Sequence, residues 1–226
     1  MAGFTIETQP TSEPVSLDEA KNFLRVDITD DDDFISLMIT AARESCEAFC
    51  NRSFATKGYL QTLDAFPYFA DSQTNQGAYP PSYYSSPNYS TLWNYSQMIK
   101  LFAPPAIAVQ SIEYIKPDGT TGTLAQNTDF VLDNVNEPAR IFPMPGGIWP
   151  PCQYLPNAVR IHFTAGYGGD GNQALPVRCK IAMLQLLANW YENREAAMQG
   201  NYGELPNHIQ MLLYSMRVFD VSPTRG

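Results

Sequence analysis

The chain has 226 residues, of which 44% are hydrophobic and 12% aromatic, so it can bury a core of its own. Its 14 Lys and Arg against 23 Asp and Glu leave a net charge of −9, which repels phosphate backbones and anionic membranes and disfavours a general nucleic-acid-binding protein. The N-terminus lacks the pattern of an export signal, and no apolar run approaches the roughly 20 residues that span a bilayer. We therefore expect a globular protein that is not exported and does not enter a membrane.

Two helices are predicted near the N-terminus. Ser16 followed by Glu19 matches a capping box, in which each side chain accepts a hydrogen bond from the other residue's backbone amide. The next segment is predicted to form an amphipathic helix, because its apolar residues recur every three or four positions. These residues are Ile35, Met38, Ile39, Ala42, Cys46 and Phe49. Asp30 to Asp33 lack the pattern of an EF-hand loop, so we interpret them as acids that favour a helix start.

The middle of the chain is predicted to be rich in strands. Between Tyr59 and Phe163, short alternating runs are separated by turn sequences such as PDG and PGG. The runs are YLQTLDAF, MIKLF, VQSIEYI, DFVLD, ARIF and AVRIHF.

A segment inside this region, Tyr68 to Gln97, is poor in aliphatic residues and rich in Tyr, Ser, Asn and Pro. It cannot build its own core and is predicted to be a long loop. Tyr and Trp give large contact areas at a small entropic cost, so the aromatic residues of this loop are candidates for contacting a protein partner. They are Tyr79, Tyr83, Tyr84, Tyr89, Trp93 and Tyr95.

A glycine-rich segment, TAGYGGDGNQALP, lies between the last predicted strand and a predicted helix. Gly166, Gly168 and Gly171 match the G-x-G-x-x-G pattern of dinucleotide-binding folds. In those folds the helix begins within the motif and a second parallel strand follows it, whereas here residues 172–175 intervene and another helix follows. We interpret the glycines as allowing a sharp turn from strand to helix, and a nucleotide-binding enzyme remains as an alternative.

Few residues are available for catalysis or metal binding. Only two histidines are present, and Cys46, Cys50, Cys152 and Cys179 form no CxxC pair, so we expect reduced thiols, no metal and no other cofactor. The GxSxG, HExxH and GxxxxGK[ST] motifs are absent, and we predict no enzymatic activity.

Helices are predicted again after Pro176. One has a stripe formed by Ile181, Leu184, Leu187, Ala188 and Tyr191, and the last begins near Pro206. After Met216 the helical pattern ends, and we expect a mobile tail in which Phe219 and Val221 are apolar anchors for a partner.

The predicted fold class is α+β. Helices from residues 1–58 and 169–226 are expected to form a helical bundle, with a β-rich middle segment at 59–168 that carries the Tyr-rich loop at 68–97. The three segments are predicted to form one compact unit.

The order of these segments resembles the gp6-like family of tailed-phage head-tail connector (adaptor) proteins. Eight stretches carry the resemblance, which covers nearly the whole chain. They are PVSLDEAKNFLRVD, DDDDFISLMITAARESCEAFCNRSF, LDAFP, IKLFAPPAIAVQSIEYIKPDG, RIFP, VRIHFTAGYG, LPVRCKIAMLQLLANWYENRE and LPNHIQMLLYSMRVF. The loop at 68–97 is longer than the family leads us to expect, so nothing is carried over to it.

The resemblance implies a structural virion protein without catalytic activity. Twelve copies would form a ring under the portal protein, extend the DNA channel and join the head to the next connector or tail component. DNA would pass without specific binding, and the protein would reside at the head-tail interface after assembly in the host cytoplasm. A different function also remains open, a binding module that uses the Tyr-rich loop on a non-virion partner.

Overall fold

The computed structural model describes residues 3–67, 97–168, 173–193 and 205–219. It combines helices with antiparallel strands, which confirms the predicted α+β class. The chain divides into two compact units. The described part of the sheet unit is 3–9, 57–67 and 97–165, and that of the helical unit is 10–56, 166–168, 173–193 and 205–219. No helix among these residues is long and apolar enough to cross a membrane.

The described residues of the helical unit form four helices and a final 3₁₀ turn. The helices are α1 (Leu17–Leu24), α2 (Asp32–Cys50), α3 (Val177–Glu192) and α4 (Asn207–Leu213), and the turn is Tyr214–Met216. The capping box at α1 is confirmed, because Glu19 N donates to Ser16 Oγ at 3.1 Å and Ser16 N donates to Glu19 Oε2 at 3.0 Å. The second bond is the main reason that the pKa of Glu19 is lowered.

Helices α2 and α3 contribute most of the core of this unit. The predicted stripe of α2 is confirmed for Ile35, Met38, Ile39, Ala42 and Cys46, which are all buried. The predicted stripe of α3 was wrong in part, because Ile181 is 41% exposed. The buried residues of α3 also have helical spacing, but on a neighbouring face of the helix. They are Cys179, Ala182, Met183, Leu186 and Leu187.

Eight strands in two antiparallel sheets are seen where the structure describes the sheet unit. The strands are β1 (Gly3–Thr8), β2 (Lys57–Leu63), β3 (Ile99–Lys100), β4 (Ala106–Ile115), β5 (Thr121–Leu124), β6 (Phe130–Asp133), β7 (Arg140–Pro143) and β8 (Val159–Ala165). The order is β1-β2-β8-β4-β5 in the larger sheet and β3-β7-β6 in the smaller. The two strands that we did not predict, β1 and β5, form the edges of the larger sheet.

One face of the larger sheet forms the core of this unit. Alternate residues of β2 and β8 are buried on that face, as the period of two in their sequences requires. Tyr59 stacks on Phe163 across the two strands with a centroid distance of 5.5 Å. The smaller sheet contributes Ile99, Phe130 and Ile141 to the same core.

The glycine-rich segment begins with a close backbone approach within the helical unit. Gly166 and Gly168 have φ angles of +127° and +80°, and Thr56 Oγ1 donates to the carbonyl oxygens of Tyr167 at 3.1 Å and Gly168 at 2.9 Å. A Cβ atom on Gly166 would lie 2.8 Å from Thr56 N and nearer still to the Ala55 carbonyl oxygen. These two glycines therefore serve backbone geometry, whereas Gly171 lies outside the described residues.

Two alanine substitutions distinguish the effect of a positive φ angle from that of the close backbone approach at Gly166. Gly168→Ala meets no atom within 4 Å, so we expect a loss of about 1 kcal/mol in unfolding free energy from the positive φ alone. Gly166→Ala adds a collision with backbone atoms, and we expect a loss of at least about 3 kcal/mol. Urea unfolding of the two variants measures both values. Equal losses would contradict the close approach.

Candidate interaction surfaces

The structure describes only part of the predicted interface residues. The loop residues Tyr79, Tyr83, Tyr84, Tyr89, Trp93 and Tyr95 and the tail residue Val221 lie outside the described residues, so their roles stay predictions. Phe219 is described, and its side chain is 65% exposed.

The two ends of the Tyr-rich segment contact the same buried side chain. The ring of Trp149 stacks on Phe66 with a centroid distance of 4.9 Å, and its Nε1 donates to the Gln97 carbonyl oxygen at 2.7 Å. Phe66 lies just before the segment, Gln97 is its last residue, and all three residues are buried. Trp149 therefore contacts residues at both ends of the Tyr-rich segment.

Phe219 belongs to an aromatic cluster at the C-terminal end of the helical unit. Its ring packs edge-to-face on Tyr214 at 5.7 Å. The Arg217 guanidinium lies 5.3 Å from the centroid of Phe219 and 5.0 Å from that of Phe49, which is the geometry of cation-π contacts. These contacts hold Phe219 in place while most of its surface stays exposed.

The chain before Phe219 is fixed to the end of α2. Val218 N donates to the Cys50 carbonyl oxygen, and Asn51 Nδ2 donates to the Val218 carbonyl oxygen, both at 2.9 Å. Arg52 Nε donates to the Met216 carbonyl oxygen at 2.6 Å. We expected a mobile tail after Met216, but the chain is anchored through Val218, which is buried.

Exposed apolar side chains continue from this cluster onto α3 and α4. Met211 is 81% exposed, Tyr214 62% and Val177 70%. Arg178, next to Val177, donates from Nη1 to Ser215 Oγ at 2.6 Å and so ties the start of α3 to the final turn. We name this set the C-terminal apolar surface, with members Val177, Met211, Tyr214 and Phe219. Clustered exposed apolar residues are typical of protein interfaces.

Sequence reasoning found Phe219 but missed Met211, Tyr214 and Val177. A signal was present, because HIQMLLYSM is apolar on more faces than one buried stripe requires. Burial is confined to Ile209 and Leu213 in α4, so Met211 and Tyr214 are left at the surface.

The buried charges of the helical unit form a structural network. Arg43 is 1% exposed, and it donates to Glu13 Oε2 at 2.7 Å and to Glu47 Oε2 at 2.8 Å. Burial by itself lowers the pKa of Arg43, but the bond to Glu13 and the attraction of Glu47 outweigh burial and raise that pKa. Because each charge is paired, this network does not have the poised proton donor or acceptor that catalysis needs.

The acids at the start of α2 also have structural partners. Lys21 Nζ lies 2.6 Å from Asp32 Oδ1, and the Tyr191 hydroxyl donates to Asp31 Oδ2 at 2.7 Å. Asp32 and Asp33 occupy the first turn, where negative charge favours the helix dipole. Residues 3–67, 97–168, 173–193 and 205–219 contain no group of three metal-binding side chains.

The four cysteines are free thiols. Burial raises the pKa of the Cys46 and Cys50 thiols to about 12 and that of Cys179 to about 11, so these three groups are poor nucleophiles. Cys152 is partly exposed.

The comparisons with known proteins point to a phage connector. The model of the phage gp6-like head-tail connector family matches residues 14–96. The predicted resemblance to this family is confirmed. It identifies a structural, non-enzymatic virion protein with a connector role.

The fold of this chain is similar to that of chains in gene transfer agent (GTA) particles. A chain of a native GTA virion has 21% sequence identity and a TM-score of 0.66, and a chain in the neck of an empty GTA particle has 21% and 0.64. A chain in the neck of a native GTA particle, computed with C12 symmetry, has 19% and 0.59. Each match covers 97% of both chains. The search of curated proteins found no match to this chain.

Proposed function

We propose that the connector forms a ring of twelve identical subunits under the portal protein, extends the DNA channel and joins the head to the tail. The single observation that carries this proposal is the family match at residues 14–96. The fold shared with neck chains of GTA particles supports it, since one of those necks was computed with C6 and another with C12 symmetry.

Portal docking is assigned to the C-terminal apolar surface and the tail that follows it. Phe219 and Tyr214 are exposed on a segment whose backbone is already fixed to α2, so binding would order few additional residues. Aromatic anchors that are fixed before binding are typical of interface hot spots. Val221 would add a second apolar contact.

The charge distribution favours DNA that slides through the ring without being held. The net charge is −9, and several basic side chains already face carboxylates. Arg140 lies 2.6 Å from Asp133, and Lys180 lies 3.3 Å from Glu19. Cations that are neutralised within the subunit release few counterions from DNA and so add little affinity.

The Tyr-rich segment is assigned to contact with a protein, either the next tail component or a neighbouring subunit. Tyr79, Tyr83, Tyr84, Tyr89, Trp93 and Tyr95 could stack on single-stranded bases, but stacking sites normally accompany a basic groove. No Lys or Arg occurs between Tyr68 and Gln97.

Electron microscopy of the purified connector mixed with its portal protein tests the main proposal. We expect a ring with twelve-fold symmetry that is coaxial with the portal. Connector subunits that bind elsewhere on the head, or that do not bind the portal, would refute it.

Substitution of Phe219 tests the docking surface. We expect Phe219→Glu to raise the Kd for the portal at least about tenfold, because a charge replaces an apolar anchor. Val135→Glu is the matched control, since Val135 is 89% exposed in the sheet unit. Truncation after Phe219 should also weaken binding without loss of folding, whereas truncation after Arg217 would remove the buried Val218. Equal affinity of Phe219→Glu and wild type in a binding titration would contradict the assignment.

We predict that the connector does not bind duplex DNA at physiological salt. At about 0.15 M salt we expect no shift of duplex DNA in a gel assay, because several Lys or Arg contacts are needed even for non-specific binding. A tight complex that weakens steeply as salt rises would show a phosphate-binding surface and overturn this prediction.

Replacement of residues 70–94 by a short Gly-Ser linker tests the Tyr-rich segment. We expect a folded protein that still docks on the portal, because Trp149 holds the flanking residues Phe66 and Gln97. Attachment of the next tail component or of a neighbouring subunit should weaken. Wild-type infectivity of phage carrying this replacement would contradict the assigned role.

A further inference from the structure

In the described part of the chain, the larger sheet has two edge strands, β1 and β5. Among the described residues, β1 pairs with β2 alone and β5 pairs with β4 alone. Every residue of β1 after Gly3 is exposed, so this strand is open on both of its faces. An open edge of this kind presents backbone donors and acceptors to a further strand.

The apolar core face of the sheet continues onto β1, where the ring of Phe4 also packs edge-to-face on Phe102 at 5.4 Å. Ile6 lies opposite Tyr59, and the ring of Phe4 stacks on Tyr59 at 4.9 Å. Tyr59 is 3% exposed, whereas Phe4 and Ile6 are 41% and 44% exposed. The core face therefore ends in two apolar side chains that a neighbouring molecule could bury.

Neither edge strand has the lysine or proline that usually prevents pairing. Natural edges are protected by Lys, Pro or a bulge, and GFTIET and TGTL contain neither Lys nor Pro. The irregularity in β1 lies after Ile6, so Gly3 to Ile6 stay regular. Four regular residues match the length of β5 (Thr121–Leu124). The single charged side chain, Glu7, already contacts His162 Nδ1 at 2.8 Å.

We propose that β1 of one subunit pairs with β5 of the neighbouring copy, so that the larger sheet continues from subunit to subunit around the ring. The inference rests on the proposed ring function. A ring with more than two subunits needs two different complementary surfaces on each copy, and the two edges of one sheet provide such a pair. None of the residues that would pair, Gly3 to Ile6 and Thr121 to Leu124, is charged, so the contact also avoids repulsion between subunits that each carry −9.

The two faces of the sheet match across this junction. Gly122 and Leu124 are buried on the core face of β5, and Phe4 and Ile6 lie on the core face of β1. Thr5 lies on the opposite face, as do Thr121 and Thr123, and threonines on adjacent strands pair favourably. The junction brings Phe4 and Ile6 beside the neighbour's apolar residues and Thr5 beside its threonines.

Disulfide trapping tests the junction in the full-length connector assembled on its portal. Cysteines introduced as Thr5→Cys with Thr121→Cys or Thr123→Cys, in a Cys152→Ser background, should give a ladder of covalent multimers after oxidation. Adjacent strands place opposing Cα atoms about 5 Å apart, which suits a disulfide. The three single variants should give no ladder. Rings without a ladder in either double variant overturn the junction and leave the ring function intact, whereas absence of rings in the wild type overturns both. Efficient dimers from Thr5→Cys alone would show pairing of β1 with β1 and also overturn it.

A second test measures ring assembly by a variant that carries an added charge on β1. Ile6→Lys should raise the concentration needed for ring assembly at least about tenfold, because it places a charge on the edge and removes an apolar contact. Val135→Lys adds the same charge to an exposed site away from both edges and should assemble as the wild type does. Unchanged melting temperatures would show that both variants are folded. Equal assembly of Ile6→Lys and Val135→Lys overturns the proposal.

Discussion

The buried Glu47 carboxylate is the constraint on which much of the helical unit depends. Its Oε2 accepts from Arg43, and its Oε1 accepts from the Phe54 amide at 2.7 Å and the Ala55 amide at 3.4 Å. One side chain thus fixes the turn that follows α2. The carbonyl of Ala55 in that turn is the group that only a glycine at position 166 can approach, so the requirement for Gly166 follows from the position that Glu47 sets.

The same end of α2 also receives the C-terminal segment. Cys50, Asn51 and Arg52 each bond to the backbone of residues 216–218. These hydrogen bonds hold the backbone of residues 216–218 in place. The side chains of Arg217 and Phe219 lie at the surface. A rigid backbone that carries exposed aromatic side chains reduces the entropy lost on binding, which suits a segment proposed to dock on a portal.

The charged groups of this protein act mostly within the subunit, whereas its proposed contacts are apolar or made by the backbone. Arg43, Arg140 and Lys21 are paired with carboxylates, and the acids of α2 bind Lys21 and Tyr191. The exposed features are the C-terminal apolar surface and the open edge at β1. Apolar and backbone contacts are less sensitive to salt than ion pairs, and they allow copies that carry −9 to assemble around DNA that they do not hold.

The α+β class, the capping box at Ser16, the apolar stripe of α2, six of the strand segments and the resemblance to the connector family could all be predicted from the sequence. These features depend on neighbours within a few residues or on strong periodicity. The face of α3 that is buried could be known only from the fold, because several faces of this helix are apolar. The fold also decided that β1 and β5 form the sheet edges, since short polar runs become strands only where a partner strand lies beside them. The contact between Trp149 and both ends of the Tyr-rich segment joins residues more than 50 positions apart, and no local pattern encodes such a distance. The exposure of Met211 and Tyr214 likewise depends on packing, because α4 buries only Ile209 and Leu213 against the rest of the helical unit.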